Sequence, residues 1–205
     1  EDQRRHSPLG GGATVRIANL ITLSRILLAP VFVFCFTRGT HWGYVCALVL
    51  AITFEITDLL DGQIARRMNQ VSDLGKFLDP VADSISRFTI FLCFLYGGPF
   101  GAYATVWAVA ILFWRDSLVA ALRIMGATRG VIISARKSGK IKAWAQGIAT
   151  ITTLSFIVIP GMFGVGEENV PALGRTICNV AAFVTFLSLI DYLWGNRKVI
   201  RSLDA

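Results

Sequence analysis

The sequence predicts an all-α, polytopic membrane protein with six transmembrane helices and with both the N- and the C-terminus in the cytoplasm. Three observations support this prediction: a strongly apolar composition, six apolar runs, and an uneven distribution of basic residues between the connections. Apolar residues make up 54% of the 205 residues and charged residues 16%, whereas soluble domains carry about 25% charged residues. A chain of this length is sufficient for one domain.

The six apolar runs are separated by more polar connections. A membrane-spanning helix needs roughly 20 predominantly apolar residues, and helix is expected because an open strand edge cannot be satisfied in lipid. The runs are Ile17–Phe36, Trp42–Leu60, Val81–Tyr96, Tyr103–Ile124, Ala143–Met162 and Ala172–Leu193. Together they predict one six-helix domain over residues 15–205, preceded by a polar, glycine-rich tail over residues 1–14 that we expect to be disordered. The first run lacks a small-residue cleavage site and is expected to be retained.

Basic residues predict the orientation in the membrane. Fifteen of the 20 Lys and Arg residues fall in the N-terminal segment, the second and fourth connections and the C-terminal segment, against Arg38 and Arg175 on the opposite side. Since cytoplasmic connections are enriched in Lys and Arg, both termini and the two long basic connections are expected in the cytoplasm. The formal net charge of +7 then suits an anionic membrane surface or substrate, and no nucleic-acid partner is expected.

The second connection carries two pairs of aspartates. Asp58 and Asp61 are three residues apart at the end of the second run, and Asp79 and Asp83 are four apart at the start of the third. On helices these spacings place each pair on one face, so two neighbouring helices would direct four carboxylates at one place. Carboxylates without His or Cys favour hard cations, Mg²⁺ or Mn²⁺, and four of them suit two ions of the kind that clamp a phosphoryl group. An isolated Asp here would instead be a helix cap.

The residues around these aspartates add a signature. Read with Gly62, Ala65, Arg66 and Gly75, the segment fits the pattern D-x2-D-G-x2-A-R-x8-G-x3-D-x3-D at every fixed position. It resembles the CDP-alcohol phosphotransferase family, also called CDP-alcohol phosphatidyltransferases, whose six-span plan is similar as well. Small residues would let a flat ligand approach the helices, and an Arg can form bidentate contacts with phosphate.

The resemblance implies roles for these residues. Asp58, Asp61, Asp79 and Asp83 look like ligands of two divalent cations, and Asp83 looks like the general base for an acceptor hydroxyl. Asp61, Gly62, Ala65, Arg66 and Gly75 look like the site for the nucleotide of CDP-diacylglycerol. The implied reaction moves a phosphatidyl group from CMP to a small polar alcohol. The family also implies a homodimer, and the class implies an active site facing the cytoplasm at the bacterial inner membrane.

A second, weaker resemblance concerns the acceptor. The stretch from Gly139 through Lys140 and Lys142 to Gln146, and the N-terminal stretch Ala18–Arg25, are similar to phosphatidylglycerophosphate synthases, although Trp114 and Asp116 stand where Gly and Glu are expected. This implies glycerol 3-phosphate as acceptor. Candidate ligands for its phosphate are Arg115, Lys140, Lys142 and Arg25.

Other interpretations stay open at this stage. Arg115 can instead pair with Asp116, and the two lysines can be positive-inside residues at the membrane surface. The acceptor can be inositol phosphate or serine. An intramembrane prenyltransferase also uses aspartate-rich metal motifs, and a divalent-cation transporter is an alternative of another class.

Overall fold

The computed structural model describes residues 11–68, 73–129, 136–159, 161 and 164–202. Within these ranges, the side chains of residues 11–22, 59–68, 73–80, 127, 198–199 and 201–202 lie outside the description. The statements below refer to the described residues.

The described residues form six α-helices, as the apolar runs predict. They are α1 (Gly11–Thr37), α2 (His41–Met68), α3 (Asp73–Tyr96), α4 (Val106–Thr128), α5 (Lys137–Val158) and α6 (Val170–Ser202), with a short 3-10 turn at Glu167–Asn169 before α6. The only pairing of extended type in the described residues is an isolated bridge between Gly98 and Gly101. The all-α class is therefore confirmed. Helix α1 begins inside the segment expected as a tail, and residues 1–10 lie outside the described residues.

Helices α2 and α3 extend into the connection that carries the aspartates. The first half of the signature, Asp58 to Arg66, lies on α2, and the second half, Gly75 to Asp83, lies on α3. Both pairs of aspartates are thus on helices, as their spacing requires. The backbone of two helices, not a loop, positions the signature.

The six helices close into a ring around a common core. Helix α1 packs against α2 and α3, α2 against α5, α5 against α6, α6 against α4, and α4 against α3. Additional contacts join α3 to α2 and to α5 across the ring. Every helix therefore has at least two neighbours, and side chains from all six can reach the interior.

One end of the bundle interior is aromatic. Near the connections α1–α2 and α3–α4, the ring of Phe36 lies 5.3 Å from that of Tyr44 and 6.0 Å from that of Phe94, and the rings of Phe94 and Tyr103 are 6.4 Å apart. These centroid distances are those of favourable aromatic pairs. Gly98 makes the close approach possible, since an added Cβ would lie 2.8 Å from the Tyr103 hydroxyl.

The outer surface of the bundle is apolar. Large apolar side chains are exposed on all six helices, among them Leu27, Val49, Leu92, Phe113, Ile148 and Phe183. Soluble monomers rarely expose apolar surface on this scale. Among the described residues, two segments are long and apolar enough to cross a membrane, Lys137–Val158 and Glu167–Arg197, and Leu23–Thr37 is a shorter apolar helix.

The aromatic end predicts a test of packing. Replacing the fully buried Phe94 with Ala should lower the free energy of unfolding by about 3–5 kcal/mol, because a large cavity opens beside the rings of Phe36 and Tyr103. The apparent unfolding temperature of the purified protein in detergent measures this. Leu92→Ala on the same helix, where the side chain is 47% exposed, is the matched control and should change it far less. Equal effects of the two substitutions would contradict this packing.

Candidate active site

Two of the four signature carboxylates converge on one guanidinium. Arg87, on α3 one turn after Asp83, donates from Nε to Asp83 Oδ1 at 2.7 Å. Its Nη2 lies 3.7 Å from Oδ2 of Asp58 on α2. Since the arginine is only 7% exposed, the contacts are made inside the bundle. Asp58 and Asp83, 25 residues apart in sequence, are therefore neighbours in space.

A second arginine approaches from α1. Arg25 Nη1 donates to Asp58 Oδ1 at 2.9 Å, so each oxygen of Asp58 faces a different guanidinium. Arg25 was predicted as a ligand of the acceptor phosphate. Arg25 does reach the aspartates, whereas the side chains of Asn19 and Thr22 lie outside the described residues.

The remaining signature side chains lie outside the described residues. They belong to Asp61, Gly62, Ala65, Arg66, Gly75 and Asp79, whose backbones are on α2 and α3. Their proposed metal and nucleotide contacts stay predictions. Among the described side chains, no group of three or more acidic, His or Cys residues has the arrangement of a metal site.

The predicted acceptor residues Arg115 and Lys142 meet at a carboxylate that was not among the predicted ligands. Lys142 Nζ donates to Asp116 Oδ1 at 2.8 Å and to Oδ2 at 3.0 Å. Arg115 Nη1 donates to Asp116 Oδ1 at 2.8 Å, and its Nη2 contacts Ser188 Oγ on α6 at 3.4 Å. The pairing of Arg115 with Asp116 that the sequence left open is thus present. Two buried cations share one carboxylate, which leaves a net positive charge.

The cluster of Arg115, Asp116 and Lys142 borders the same cavity as two of the signature aspartates. A cavity of about 260 Å³ is lined by Asp58, Asp83, Arg115, Asp116 and Lys142. A neighbouring cavity of about 400 Å³ shares Asp83, Arg115, Arg123 and Lys142, and adds Arg136, Lys137 and Lys140. The structure therefore brings four predicted site residues, Asp58, Asp83, Arg115 and Lys142, around one space. Lys140 lines the adjoining cavity of about 400 Å³, and its side chain is exposed.

Asp191 on α6 holds the beginning of α5 beside this cavity. Its Oδ2 accepts from Arg136 Nε at 2.8 Å and from Ser138 Oγ at 2.6 Å. Gly195, one turn further along α6, leaves the space for the guanidinium, because an added Cβ there would overlap Arg136. The first turn of α5, which carries Lys140 and Lys142, is thereby attached to α6.

A third cavity has an apolar and a charged side. It measures about 510 Å³ and lies between α2 and α5. The isoleucines Ile52, Ile56, Ile148 and Ile151 line it, together with the charged residues Glu55, Asp58, Arg87 and Lys140. A groove of this kind suits a ligand with a hydrocarbon part and a charged head.

The sequence did not predict that Arg87 belongs to the site, and it predicted no role there for Glu55 or Asp116. Arg87 lies inside the third apolar run and was not among the predicted site residues. Ionisable residues within such runs are costly and often functional, and Arg87 lies four residues after Asp83, the spacing of a helical ion pair. That signal could have found the Arg87–Asp83 pair, but not its contact with Glu55.

The described donor atoms fit a site for hard cations. Asp58 and Asp83 carry carboxylate oxygens, their side chains are 37% and 29% exposed, and both line the same cavity. Carboxylate oxygens are the ligands that Mg²⁺ and Mn²⁺ prefer. The composition of the site agrees with the metal chemistry that the signature implies.

A family comparison decides the class. The sequence profile of CDP-alcohol phosphatidyltransferases matches residues 15–187, which includes the whole signature and five of the six helices in full or nearly so. The chain belongs to the CDP-alcohol phosphatidyltransferase family. The predicted enzyme class is confirmed, and the prenyltransferase and transporter hypotheses receive no support.

Curated members of the family include similar bacterial proteins. A Bacillus subtilis protein is 33% identical over 150 residues, covering 67% of this chain and 76% of the relative. Proteins from Sodalis glossinidius (30% over 185 residues, covering 89% and 96%) and Pseudomonas fluorescens (31% over 193 residues, covering 90% and 93%) are similar over nearly their whole length. All three are named CDP-diacylglycerol–glycerol-3-phosphate 3-phosphatidyltransferase.

The two lysines of α5 provide a test of the site geometry. Lys142→Met should lower the free energy of unfolding by about 1.5–3 kcal/mol, because it removes charge-assisted hydrogen bonds to Asp116, which keeps Arg115 as its counter-charge. Lys140→Met, two residues earlier on an exposed position, should stay within about 0.5 kcal/mol. Thermal unfolding in detergent compares the two. A Lys142 variant as stable as the wild type would show that the Asp116 contact is dispensable.

Proposed function

We propose that this protein transfers the phosphatidyl group of CDP-diacylglycerol to glycerol 3-phosphate, giving phosphatidylglycerophosphate and CMP. The relatives' names support the two substrates. The observation that carries the proposal is that Asp58 lines an amphipathic cavity, Asp83 lines a strongly basic cavity, and both aspartates line a further cavity. A lipid with a charged head fits the first, and a small phosphorylated alcohol fits the second.

Two divalent cations, Mg²⁺ or Mn²⁺, would be held by Asp58, Asp61, Asp79 and Asp83. When bound, they would neutralise the diphosphate and stabilise the charge that develops on the departing CMP. Arg66 would add bidentate contacts to the same diphosphate. Asp61, Gly62, Ala65 and Gly75 would form the surface against which the nucleotide lies. The reaction requires these residues to bind and orient the lipid nucleotide.

Asp83 is proposed as the general base. The acceptor hydroxyl oxygen forms a bond to the phosphorus that carries the diacylglycerol, the bond from that phosphorus to CMP breaks, and the hydroxyl proton moves to Asp83. A carboxylate is a weak base at neutral pH, so its contribution is mainly one of position. Asp83 lines both the cavity that it shares with Asp58 and the basic cavity, which agrees with this role.

The phosphate of the acceptor would be bound by Arg115, Lys140, Lys142 and Arg25. The basic cavity has a large excess of positive charge, since Arg123 and Lys137 also line it and Asp83 is its single acidic lining residue among those described. Such a cavity favours a phosphate dianion over a zwitterion or a neutral alcohol. Arg25 lies on the other side of Asp58, where it would act on the part of the substrates nearest the aspartates.

All six helices are proposed to span the bacterial inner membrane, with both termini and the active site on the cytoplasmic side. Exposed aromatic side chains support this placement, because Trp and Tyr concentrate at the two membrane interfaces. Trp42, Tyr96 and Trp107 are more than 70% exposed near the end that bears the aromatic cluster, and Trp144 and Trp194 are 61% and 70% exposed near the end that bears the charged site. A homodimer is proposed from the family resemblance.

Release of CMP by the purified protein tests the function. With CDP-diacylglycerol and Mg²⁺ present, glycerol 3-phosphate should give acceptor-dependent CMP release that exceeds the rates with inositol phosphate, serine or no acceptor. The basic cavity is the reason for the expected order. A faster reaction with inositol phosphate or serine would keep the class and replace the acceptor.

Asp83→Asn tests the general base. The substitution should lower kcat by about 10²–10⁴-fold, the range that general-base catalysis contributes, while binding of CDP-diacylglycerol in the presence of metal stays measurable. Glu168→Gln, which changes an exposed carboxylate at the opposite end of the bundle, is the control and should retain full activity. Wild-type turnover in the Asp83 variant would remove this residue as the base.

A further inference from the structure

Arg87 lies outside the signature, but all three nitrogens of its guanidinium donate hydrogen bonds to other residues. Besides donating to Asp83, its Nη1 donates to Glu55 Oε1 at 3.1 Å and to the backbone oxygen of Ala143 at 3.3 Å, and its Nη2 donates to Glu55 Oε2 at 3.4 Å. The two oxygens of Glu55 thus face two nitrogens of the guanidinium, a fork-like pairing that holds the plane of the group. One side chain joins α2, α3 and α5.

The backbone of α5 is adapted to this pair. Gly147 faces Glu55, and an added Cβ at Gly147 would lie 2.7 Å from Glu55 Oε2. The carboxylate therefore occupies space that any other residue at 147 would fill. Glu55 is 22% exposed and Arg87 8% exposed at the side chain, so water competes little for the contact. The pair is built into the junction of three helices.

The geometry separates two tasks of the guanidinium. Its Nη atoms are directed to Glu55, and its Nε is directed to Oδ1 of Asp83. Because a guanidinium is planar and rigid, fixing the Nη side also fixes the direction of Nε, and with it the orientation of the Asp83 carboxylate. The contact occupies one oxygen of Asp83, and the proposed proton transfer requires the other.

We propose that Glu55 and Arg87 are positioning residues for the transfer reaction, with Glu55 fixing the guanidinium and Arg87 orienting the carboxylate of Asp83 beside Asp58. The inference rests on the proposed role of Asp83. A lysine at position 87 would keep the positive charge but has one nitrogen, which cannot contact Glu55 and Asp83 in the same fork. Charge and orientation are therefore separable by substitution.

Arg87→Lys is the decisive variant for orientation. We expect kcat to fall by about 10²-fold, the effect of a misplaced catalytic group, while the KM for the acceptor and the Kd for CDP stay within threefold of wild type. Arg129→Lys, on an exposed position at the end of α4, is the matched control. A wild-type kcat in Arg87→Lys would overturn the positioning role. The role would also be overturned if the affinity for CDP and the unfolding temperature fell together with kcat.

A double-mutant cycle tests the pair without reference to activity. Unfolding temperatures are measured for wild type, Glu55→Gln, Arg87→Met and the double variant. Arg87→Met should be less stable than the double variant, because the single substitution leaves the buried carboxylate of Glu55 without its cation. If the effects of the two single substitutions on the unfolding temperature were additive in the double variant, the role of Glu55 would be overturned. If the wild type releases no CMP with any acceptor, the proposed function fails, and the cycle still decides whether Glu55 fixes Arg87.

A separate observation concerns two cysteines far from this site. Cys35, near the end of α1, and Cys46, in the second turn of α2, have their Sγ atoms 3.2 Å apart. Cys46 is exposed, whereas Cys93 and Cys178 are buried. In the proposed orientation, the connection between α1 and α2 faces the outside of the inner membrane, where oxidising conditions favour disulfides.

We infer that Cys35 and Cys46 form a modification site for disulfide-containing oxidants. The thiolate of Cys46 attacks a disulfide of the oxidant and forms a mixed disulfide with release of one thiol. The thiolate of Cys35 then attacks Sγ of Cys46 and releases the second thiol. Both cysteines lose a proton, and the two electrons reduce the oxidant to a dithiol or two thiols. The product links α1 to α2 at the aromatic end.

Tryptic mapping tests this site, because Arg38 lies between the two cysteines. After treatment of the full chain with oxidised glutathione, the peptides containing Cys35 and Cys46 should appear as one linked species that dithiothreitol separates. Cys35→Ser and Cys46→Ser should each abolish it, and Cys93 and Cys178 should stay as thiols. Separate, unlinked peptides after oxidation would overturn the inference.

Discussion

The structure depends on the neutralisation of carboxylates inside an apolar bundle. A carboxylate taken out of water costs several kcal/mol unless a counter-charge and hydrogen bonds replace the lost solvent. Where α2 and α3 carry the signature aspartates, Arg25 and Arg87 supply the counter-charge and the hydrogen bonds to Asp58 and Asp83. The need to neutralise these carboxylates links helices α1, α2 and α3 at the position of the signature aspartates.

The same principle organises the basic cavity. Asp116 on α4 and Asp191 on α6 are not part of the signature, yet both bind residues that line the basic cavity. Asp116 binds Arg115 and Lys142, and Asp191 binds Arg136. Without them, the cations of α4 and α5 would repel one another in a poorly solvated space. An acidic residue here stabilises the cluster while leaving an excess of positive charge for an anionic ligand. Binding and stability thus use the same contacts.

The two ends of the bundle have different physical characters. Around Phe36, Tyr44, Phe94 and Tyr103, close aromatic packing holds the helix connections together. At the other end, polar cavities separate the helices, and ion pairs replace apolar contacts. A packed end provides the rigid frame that a reaction based on positioning needs. The polar end leaves space for two substrates.

The sequence by itself determined the fold class and the enzyme family. Lipid permits few backbone structures, so apolar runs predicted helices, and local spacing was sufficient to put each aspartate pair on a helix. Only the tertiary structure decided which charges meet. Arg87 contacts Glu55 across 32 residues, Lys142 contacts Asp116 across 26, and Arg136 contacts Asp191 across 55. Such pairs follow from the order of helices in the ring, and helical periodicity carries no information about which helix lies beside which.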